Sequence, residues 1–307
     1  MNTMKAVICT RYGGPEVLQL ADVPKPHAKK DEILVRIRAT AVNSGDVRVR
    51  GLQVEGVMKV IMRLVLGVRK PRKPILGTVF SGIVESVGED VSNFKPGDEV
   101  FGMTGFQFGT YAAYIAVKAK GNVLPKPHNA SFEEAAALPF GGQTAIYFLE
   151  KAKLTAKVHP EVLIYGATGS VGTAAVQLAK YFGAKVTAVC SSGGSDLASR
   201  LGADHIFTYD TQEFTQLPQR FDLFFDAVGK TKKRSVEHLL KPKGLYLSVA
   251  GLDYASENIA QLELLKELFE HHGYDAAIDR IYPIADVVAA HKFVDLGHKK
   301  GNVILQI

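Results

Sequence analysis

One short run constrains this chain more than any other feature. Tyr165-Gly-Ala-Thr-Gly-Ser-Val-Gly172 follows the apolar stretch VLIY and opens the helical stretch TAAVQLAKYFG. A strand before and a helix after are the context a dinucleotide fingerprint requires. Read as G-x-G-x-x-G, the run has Ala167 in place of the first glycine, with Gly169 and Gly172 in the other two places. Gly166 still precedes Ala167 and keeps the turn flexible. Gly169 lets a backbone approach a pyrophosphate, and Gly172 lets the helix pack closely on the sheet. The unpaired N–H groups at the helix start supply an anion site.

The pattern around this turn alternates. EVLIYG, KVTAVC, HIFTY, FDLFFDAVG and LYLSVAG read as strands. SVGTAAVQLAKYFG, DLASRLGA and TKKRSVEHLLKPKG read as helices among them. Such alternation implies a parallel sheet with helices on both faces. The first third is different. MKAVICT, VLQLADV, EILVRIRATAV, FSGIVESVG, DEVFGMT and GTYAAYIAV are short β-type runs broken by turn chemistry such as RYGGPE and NFKPGD. A boundary falls at NVLPKPHNASFEEAAALP, where two prolines end the strands and Ser131 caps a helix carrying Glu133 and Glu134 in its first turn. The expected fold class is α/β, a β-barrel-type domain joined to a doubly wound parallel-sheet domain. The first domain spans 1–125 and is completed by the closing strands of 274–307; the second spans 126–273.

The net charge of +6 is concentrated early: residues 1–125 carry 18 Lys and Arg against 11 Asp and Glu. Much of the excess lies in Lys59, Arg63, Arg69, Lys70, Arg72 and Lys73. Val57, Val60, Ile61, Leu64, Val65 and Val68 form an apolar helical stripe through the same stretch, read as a helix packed on the barrel. It lacks the interleaved aromatics of a nucleic-acid surface, and a membrane-surface contact is the least favoured reading. Two cysteines, Cys9 and Cys190, exclude a four-cysteine zinc lobe and fit a reducing cytoplasm. No apolar run reaches the ~18 residues of a membrane span, and the N-terminus has no signal-peptide pattern.

The second strand of the parallel sheet ends at Val189-Cys-Ser-Ser-Gly-Gly194, with no Asp or Glu to bind a ribose 2′-hydroxyl; the first acid beyond it is Asp196. A carboxylate would repel a 2′-phosphate, and Ser191 and Ser192 would not. NADP(H) is therefore expected over NAD(H).

The chain resembles the medium-chain dehydrogenase/reductases, and within them the zinc-independent quinone oxidoreductase (zeta-crystallin-like) group. The likeness rests on GGPEVL, AVNSGDVRVRG, GTVFSGIVESVG, FKPGDEVFG, AAALPFGGQTAIYFL, GATGSVGTAAVQLAK, LGADHIFTY, FDLFFDAVG and GHKKGNVIL, in that order along nearly the whole chain. It implies a GroES-like catalytic domain and a Rossmann domain. It also implies that Asn43 and Asp46 line the cleft and that Thr144 approaches the nicotinamide. Gly166, Ala167, Thr168, Gly169, Ser170, Val171 and Gly172 would hold the pyrophosphate, and Ser191, Ser192 and Tyr209 would surround the adenosine. Val228, Gly229, Val249, Ala250 and Gly251 would border the cofactor, and Asn302 would return to the nicotinamide. The chain departs from the group's pattern at Arg48, where a tyrosine is common, and at Gly193 and Gly194, where a basic residue is common. Only LDYAS stands where relatives carry a further helix and strand, so a sixth sheet strand used in dimer pairing is expected to be missing; a homodimer is otherwise implied.

The zinc alcohol dehydrogenases are the sibling reading. Where they carry a Cys, a His-Glu pair and another Cys, this chain has Ser44, Thr78 with Val79, and Phe140 or Gly141, none of them a zinc ligand. The expected chemistry is metal-free reduction of a quinone or an α,β-unsaturated carbonyl by direct hydride transfer, with hydrogen bonds to the developing oxyanion. Asn43 is the expected donor, Asp46 orients neighbours such as Arg50, and Tyr114 is a candidate general acid. The alternative is a non-catalytic NADPH-binding sensor or structural protein on the same scaffold.

Overall fold

A computed structural model describes residues 2–52, 63–64, 66–251 and 255–307. The chain divides into two compact units. One comprises Met1–Phe140 with Leu262–Ile307, the other Gly141–Gln261.

In the first unit, β1 (Thr3–Cys9) and β2 (Leu18–Pro24) form an antiparallel hairpin. The longest strand, β3 (Glu32–Ala41), leads into helix α1 (Ser44–Gly51). The strands β4 (Val79–Val87), β5 (Glu99–Met103), β6 (Tyr114–Lys118) and β7 (Val123–Pro125) follow, and then helix α2 (Phe132–Lys151). Strand β3 is the organiser. Its first half pairs with β6, its middle with β4 and its last three residues with a C-terminal strand. It is buried along most of its length.

The second unit alternates β8 (Glu161–Tyr165), α3 (Ser170–Tyr181), β9 (Lys185–Cys190), α4 (Ser195–Arg200) and β10 (His205–Thr208). It continues with β11 (Phe221–Asp226), α5 (Lys233–Val236) and β12 (Leu240–Ser248). All pairings are parallel, in the order β10-β9-β8-β11-β12. The central strands are buried along most of their length, as strands covered on both faces must be. Strand order reverses between β8 and β11, and ligands of open α/β sheets bind in the crevice outside the strand ends at such a point.

The chain returns to the first unit through helix α6 (Ile259–His271), β13 (Ile278–Pro283), α7 (Val287–Asp295) and β14 (Asn302–Gln306). Strand β14 joins β13 to β3 and completes a seven-stranded sheet.

The observed division differs from the expected boundaries at 125 and 273. Ala135, Ala136, Ala137 and Leu138 of α2 and Leu262 of α6 share a buried cluster with Ala39, Val79 and Ile304. Burial thus assigns the first half of α2 and most of α6 to the barrel unit. The helix expected across TKKRSVEHLLKPKG is one α-turn, α5, continued by a 3-10 turn at Glu237–Leu239, because pairing with β11 draws Leu240 onward into a strand. Pro242 is tolerated there because β12 lies at the sheet edge. Among the described residues the parallel sheet has five strands and no sixth. The Ser131 cap forms as read: Ser131 Oγ accepts from Glu134 N at 3.1 Å, and the Glu134 carboxylate accepts from Ser131 N at 2.8 Å. Of the apolar basic helix expected around 57–70, residues 57–62 and 65 lie outside the described residues, 67–70 are not helical, and Leu64 and Val68 are exposed.

Candidate functional site

The glycine-rich turn sits at the carboxyl end of β8, at the reversal point of the sheet. Gly166 has φ +76°, a conformation that side-chain-bearing residues rarely adopt, and its N–H donates to Val189 O at 2.8 Å. A methyl group on Gly166 would come within 1.8 Å of Val228 Cγ2. One on Gly172 would come within 2.1 Å of Gly166 O, so α3 lies directly against the turn. At Gly169, by contrast, the nearest atom to such a methyl group is 3.6 Å away. That open backbone next to a helix start is what a pyrophosphate needs. Gly141 packs on the carbonyl of Ser170, and Thr144, one turn further along α2, lies on the same helix face.

The loops after β11 and β12 are fixed by Asp226. This fully buried carboxylate accepts from Val228 N (3.1 Å), Gly229 N (2.7 Å), Thr231 N (2.7 Å) and Thr231 Oγ1 (2.8 Å). Val249 N donates to the Asp226 carbonyl, and Gly229 lies against Ala250. The structure therefore gathers Gly166, Val228, Gly229, Val249 and Ala250 around one end of the sheet, with Gly251 following.

At the end of β9, Ser192 donates through N (2.9 Å) and Oγ (2.7 Å) to the carboxylate of Asp210. Tyr209, half exposed, donates its N–H to Cys190 O and lies 6.1 Å from the Tyr165 ring. Thr168 packs on Gly194 in the same loop. An acid thus stands beside the serine turn after all, reaching it from the turn that follows the neighbouring strand β10. This overturns the expectation of an acid-free strand end.

In the barrel unit, β3 ends at Asn43, which is buried at the start of α1. Its Nδ2 donates to Thr78 Oγ1 at 3.2 Å, and its Oδ1 is buried without a partner among the described residues. Asp46, one turn on, is fully buried. Its Oδ2 accepts from Asn43 N (3.0 Å) and Tyr111 Oη (3.1 Å), and its Oδ1 from Gly77 N (3.0 Å). Burial pushes its carboxyl up to about 6, against the three donors that favour the ionised form. Asp46 ties α1 to two loops, so it is a positioning residue.

Asn43 gives one amide hydrogen to Thr78 and keeps a second, so it stays a candidate donor. Two expectations are corrected here, those for Arg50 and Tyr114. Arg50 does not answer to Asp46. Its Nη2 pairs with Asp295 at 2.6 Å, its Nη1 meets His291 Nδ1 at 3.0 Å, and its Nε donates to Gly13 O. Tyr114 is not at the site. It lies opposite Arg36 on β6, seven positions before Asn43 along β3, with Lys25 Nζ 3.7 Å from its ring centroid. The tyrosine that reaches Asp46 is Tyr111, three residues earlier. Asn302 opens β14, where its Nδ2 donates to Ala276 O at 2.8 Å; it pins the 276–277 loop.

Comparison with known proteins agrees with this architecture. The family model for the alcohol dehydrogenase GroES-like domain matches residues 29–128, and that for zinc-binding dehydrogenases matches 170–272. The chain is 34% identical to the 2-methylene-furan-3-one reductase of Solanum lycopersicum, over 98% of its own length and 79% of that protein. It is 29% identical to an NADPH-dependent alkenal/one oxidoreductase of Arabidopsis thaliana, with the same coverage. The quinone oxidoreductase of Coxiella burnetii superposes with a TM-score of 0.84 at 27% identity, covering all of both chains. The chain belongs to the medium-chain dehydrogenase/reductase superfamily.

Within that superfamily it falls in the quinone oxidoreductase group, with a GroES-like domain and a Rossmann domain, and it is an oxidoreductase. The second family model is named for zinc. The resemblance puts Ser44, Thr78, Val79, Phe140 and Gly141 at the positions where zinc-binding members of the superfamily carry ligands. Hydroxyl, aliphatic and aromatic groups do not make a tetrahedral Cys/His site. No group of three or more His, Cys, Asp or Glu among the described residues could hold a metal ion, and no described helix is long and apolar enough to cross a membrane.

Proposed function

We propose that this medium-chain reductase uses NADPH to reduce quinones or α,β-unsaturated carbonyls, without zinc and by direct hydride transfer. One observation carries the reading: the glycine turn of 166–172 lies open at the reversal point of the parallel sheet, while the zinc-ligand positions of its siblings hold side chains that cannot bind the metal. The named relatives support the acceptor class, since one is an alkenal/one oxidoreductase and another a quinone oxidoreductase.

The residues divide the work. The turn from Gly166 to Gly172 would hold the pyrophosphate, with Thr144 toward the nicotinamide and Ser191, Ser192 and Tyr209 toward the adenosine. Val228, Gly229, Val249, Ala250 and Gly251 border the same crevice, and Asp226 keeps the first pair of loops in shape. When bound, the dinucleotide supplies the hydride. Asn43 offers its Oδ1 to a ligand N–H or O–H, held in place by Asp46 and Thr78. The second amide hydrogen of Asn43 is the donor toward a substrate oxygen, and the Thr78 hydroxyl, which accepts from Asn43 and retains its own hydrogen, is a further one. The small-molecule acceptor and a cytoplasmic setting belong to this proposal.

The test is a fluorescence titration with NADPH and with NADH, followed in the same cuvette by a quinone and then an enone. Nucleotide binding followed by oxidation on addition of either acceptor supports the reductase. Binding with no oxidation by any acceptor turns the reading into a cofactor-binding sensor. Binding of neither nucleotide removes it.

A further inference from the structure

We propose that Asp210 sets the preference between NADPH and NADH by occupying the donors that a 2′-phosphate would use. The inference rests on the nucleotide-binding reading above and adds a residue to it. In a Rossmann sheet the adenosine ribose lies at the end of the second strand, where an acid selects the free 2′-hydroxyl and uncharged or basic groups accept the 2′-phosphate. In this chain that strand is β9, and the residues after it, Ser191 to Ser195, contain no charged side chain. The charge arrives from the third strand. Both oxygens of Asp210 accept from Ser192 N, at 2.9 and 3.1 Å, and Oδ2 also accepts from Ser192 Oγ at 2.7 Å. These bonds hold the carboxyl of Asp210 below its ordinary range, so it is ionised at neutral pH.

Two consequences follow from this geometry. A 2′-phosphate seeking the Ser192 donors must displace a carboxylate that already holds both of them. It must also sit within a few ångströms of that carboxylate while carrying between one and two negative charges of its own. The loop offers no Lys or Arg in compensation, since Gly193 and Gly194 follow the serines. A 2′-hydroxyl meets neither obstacle, because it can donate to Asp210 without displacing it. Asp210 therefore does for the ribose what an acid at the end of β9 does elsewhere, and it draws the protein toward dual use of the two nucleotides.

The experiment measures dissociation constants for NADPH and NADH on the full chain, wild type, Asp210→Asn and Asp210→Ala. Asn removes the charge and keeps an acceptor for Ser192; Ala removes both. The ratio of the NADPH constant to the NADH constant is expected to fall about tenfold in Asp210→Asn, and at least as far in Asp210→Ala. The Asp210→Asn gain is expected to shrink at 0.5 M salt, because the site is solvent-exposed and screened. Melting temperatures within a few degrees of wild type show that the loop has kept its fold. A ratio unchanged within twofold in both variants, with wild type binding both nucleotides, overturns the role of Asp210 and leaves the reductase reading standing. A shifted ratio with no turnover of quinones or enones supports Asp210 and removes the reductase. Failure of wild type to bind either nucleotide removes both.

Discussion

Replacing Asp46 by Asn should change how stability depends on pH, and the structure sets the size of the effect. Asp46 is fully buried, and its carboxyl lies at about 6 in the folded chain against an ordinary 3.8. Between those two values the folded state binds a proton that the unfolded state does not. The contribution is thus fully present below pH 3.8 and is lost as pH rises through 6. At 1.36 kcal/mol per unit, it is worth about 3 kcal/mol in all, and about 1.4 kcal/mol between pH 8 and pH 5. Asn does not titrate. At pH 8 the variant is relieved of a buried charge, but its single acceptor cannot serve Asn43 N, Gly77 N and Tyr111 Oη together. One buried donor is left unpaired, at about 1–3 kcal/mol. The two effects nearly cancel, so wild type and variant should lie within about 2 kcal/mol of each other at pH 8. As pH falls to 5, wild type should pull ahead by about a further 1.4 kcal/mol. His291 works in the opposite direction. Its pKa is lowered to about 3 by burial and by the charge of Arg50, so its contribution is lost as pH falls below 6.5. That slope is common to both proteins and drops out of their difference. Urea unfolding of both at pH 5, 6, 7 and 8, at constant ionic strength, is the assay. A stability difference, wild type minus variant, that does not rise as pH falls would show that Asp46 is not the buried titrating group described here.

Other substitutions probe separate contacts. Arg50→Met should cost about 3 kcal/mol in chemical denaturation, because it strands His291 Nδ1 and removes the partner of Asp295; the partial exposure of Asp295 keeps the cost at the low end for a buried pair. Arg50→Lys should recover only part of that loss, since one ammonium cannot reach Gly13, His291 and Asp295 together. Gly166→Ala should destabilise by about 2–4 kcal/mol through its left-handed backbone and the overlap with Val228, and it should weaken nucleotide binding in the same titration. Val228→Ala in the same chain should return part of the stability, read as a melting temperature. Tyr111→Phe should cost about 1 kcal/mol and slow enone reduction, whereas Tyr114→Phe should leave steady-state rates unchanged.

What was legible in the sequence is what local chemistry decides. The Ser131 cap, the strand–turn–helix at 161–181 and the parallel alternation each depend on neighbours within a dozen residues. The misreadings have a common cause in long-range pairing. KPKG reads as the tail of a helix until β11 takes it as an edge strand. Arg50 stands one helical turn from Asp46, which suggests a local ion pair. Packing of α7 against α1 supplies Asp295 instead, 245 positions away. The segment TYAAY offers two tyrosines, and nothing local says which one faces Asp46. The outcome depends on β6 beginning at Tyr114, which leaves Tyr111 in the preceding loop. Asp210 was adjacent in sequence to a residue already assigned to the adenosine end, and only the β9–β10 pairing reveals that it meets Ser192.

Three aspartates illustrate how the same bond serves different ends. Asp46 and Asp226 gather several backbone N–H donors from loops, and Asp210 takes the N–H and the hydroxyl of Ser192. Asp46 and Asp226 do so with no exposure to water, so each bond lost would leave a buried donor unpaired, and their loops are locked. Asp210 makes equally short bonds in the open. Water or a ligand can replace each of them at little cost, and the carboxylate's own charge is solvated when it lets go. The two buried aspartates can therefore only hold geometry. The exposed one can exchange partners, which is the property that recognition of a nucleotide requires.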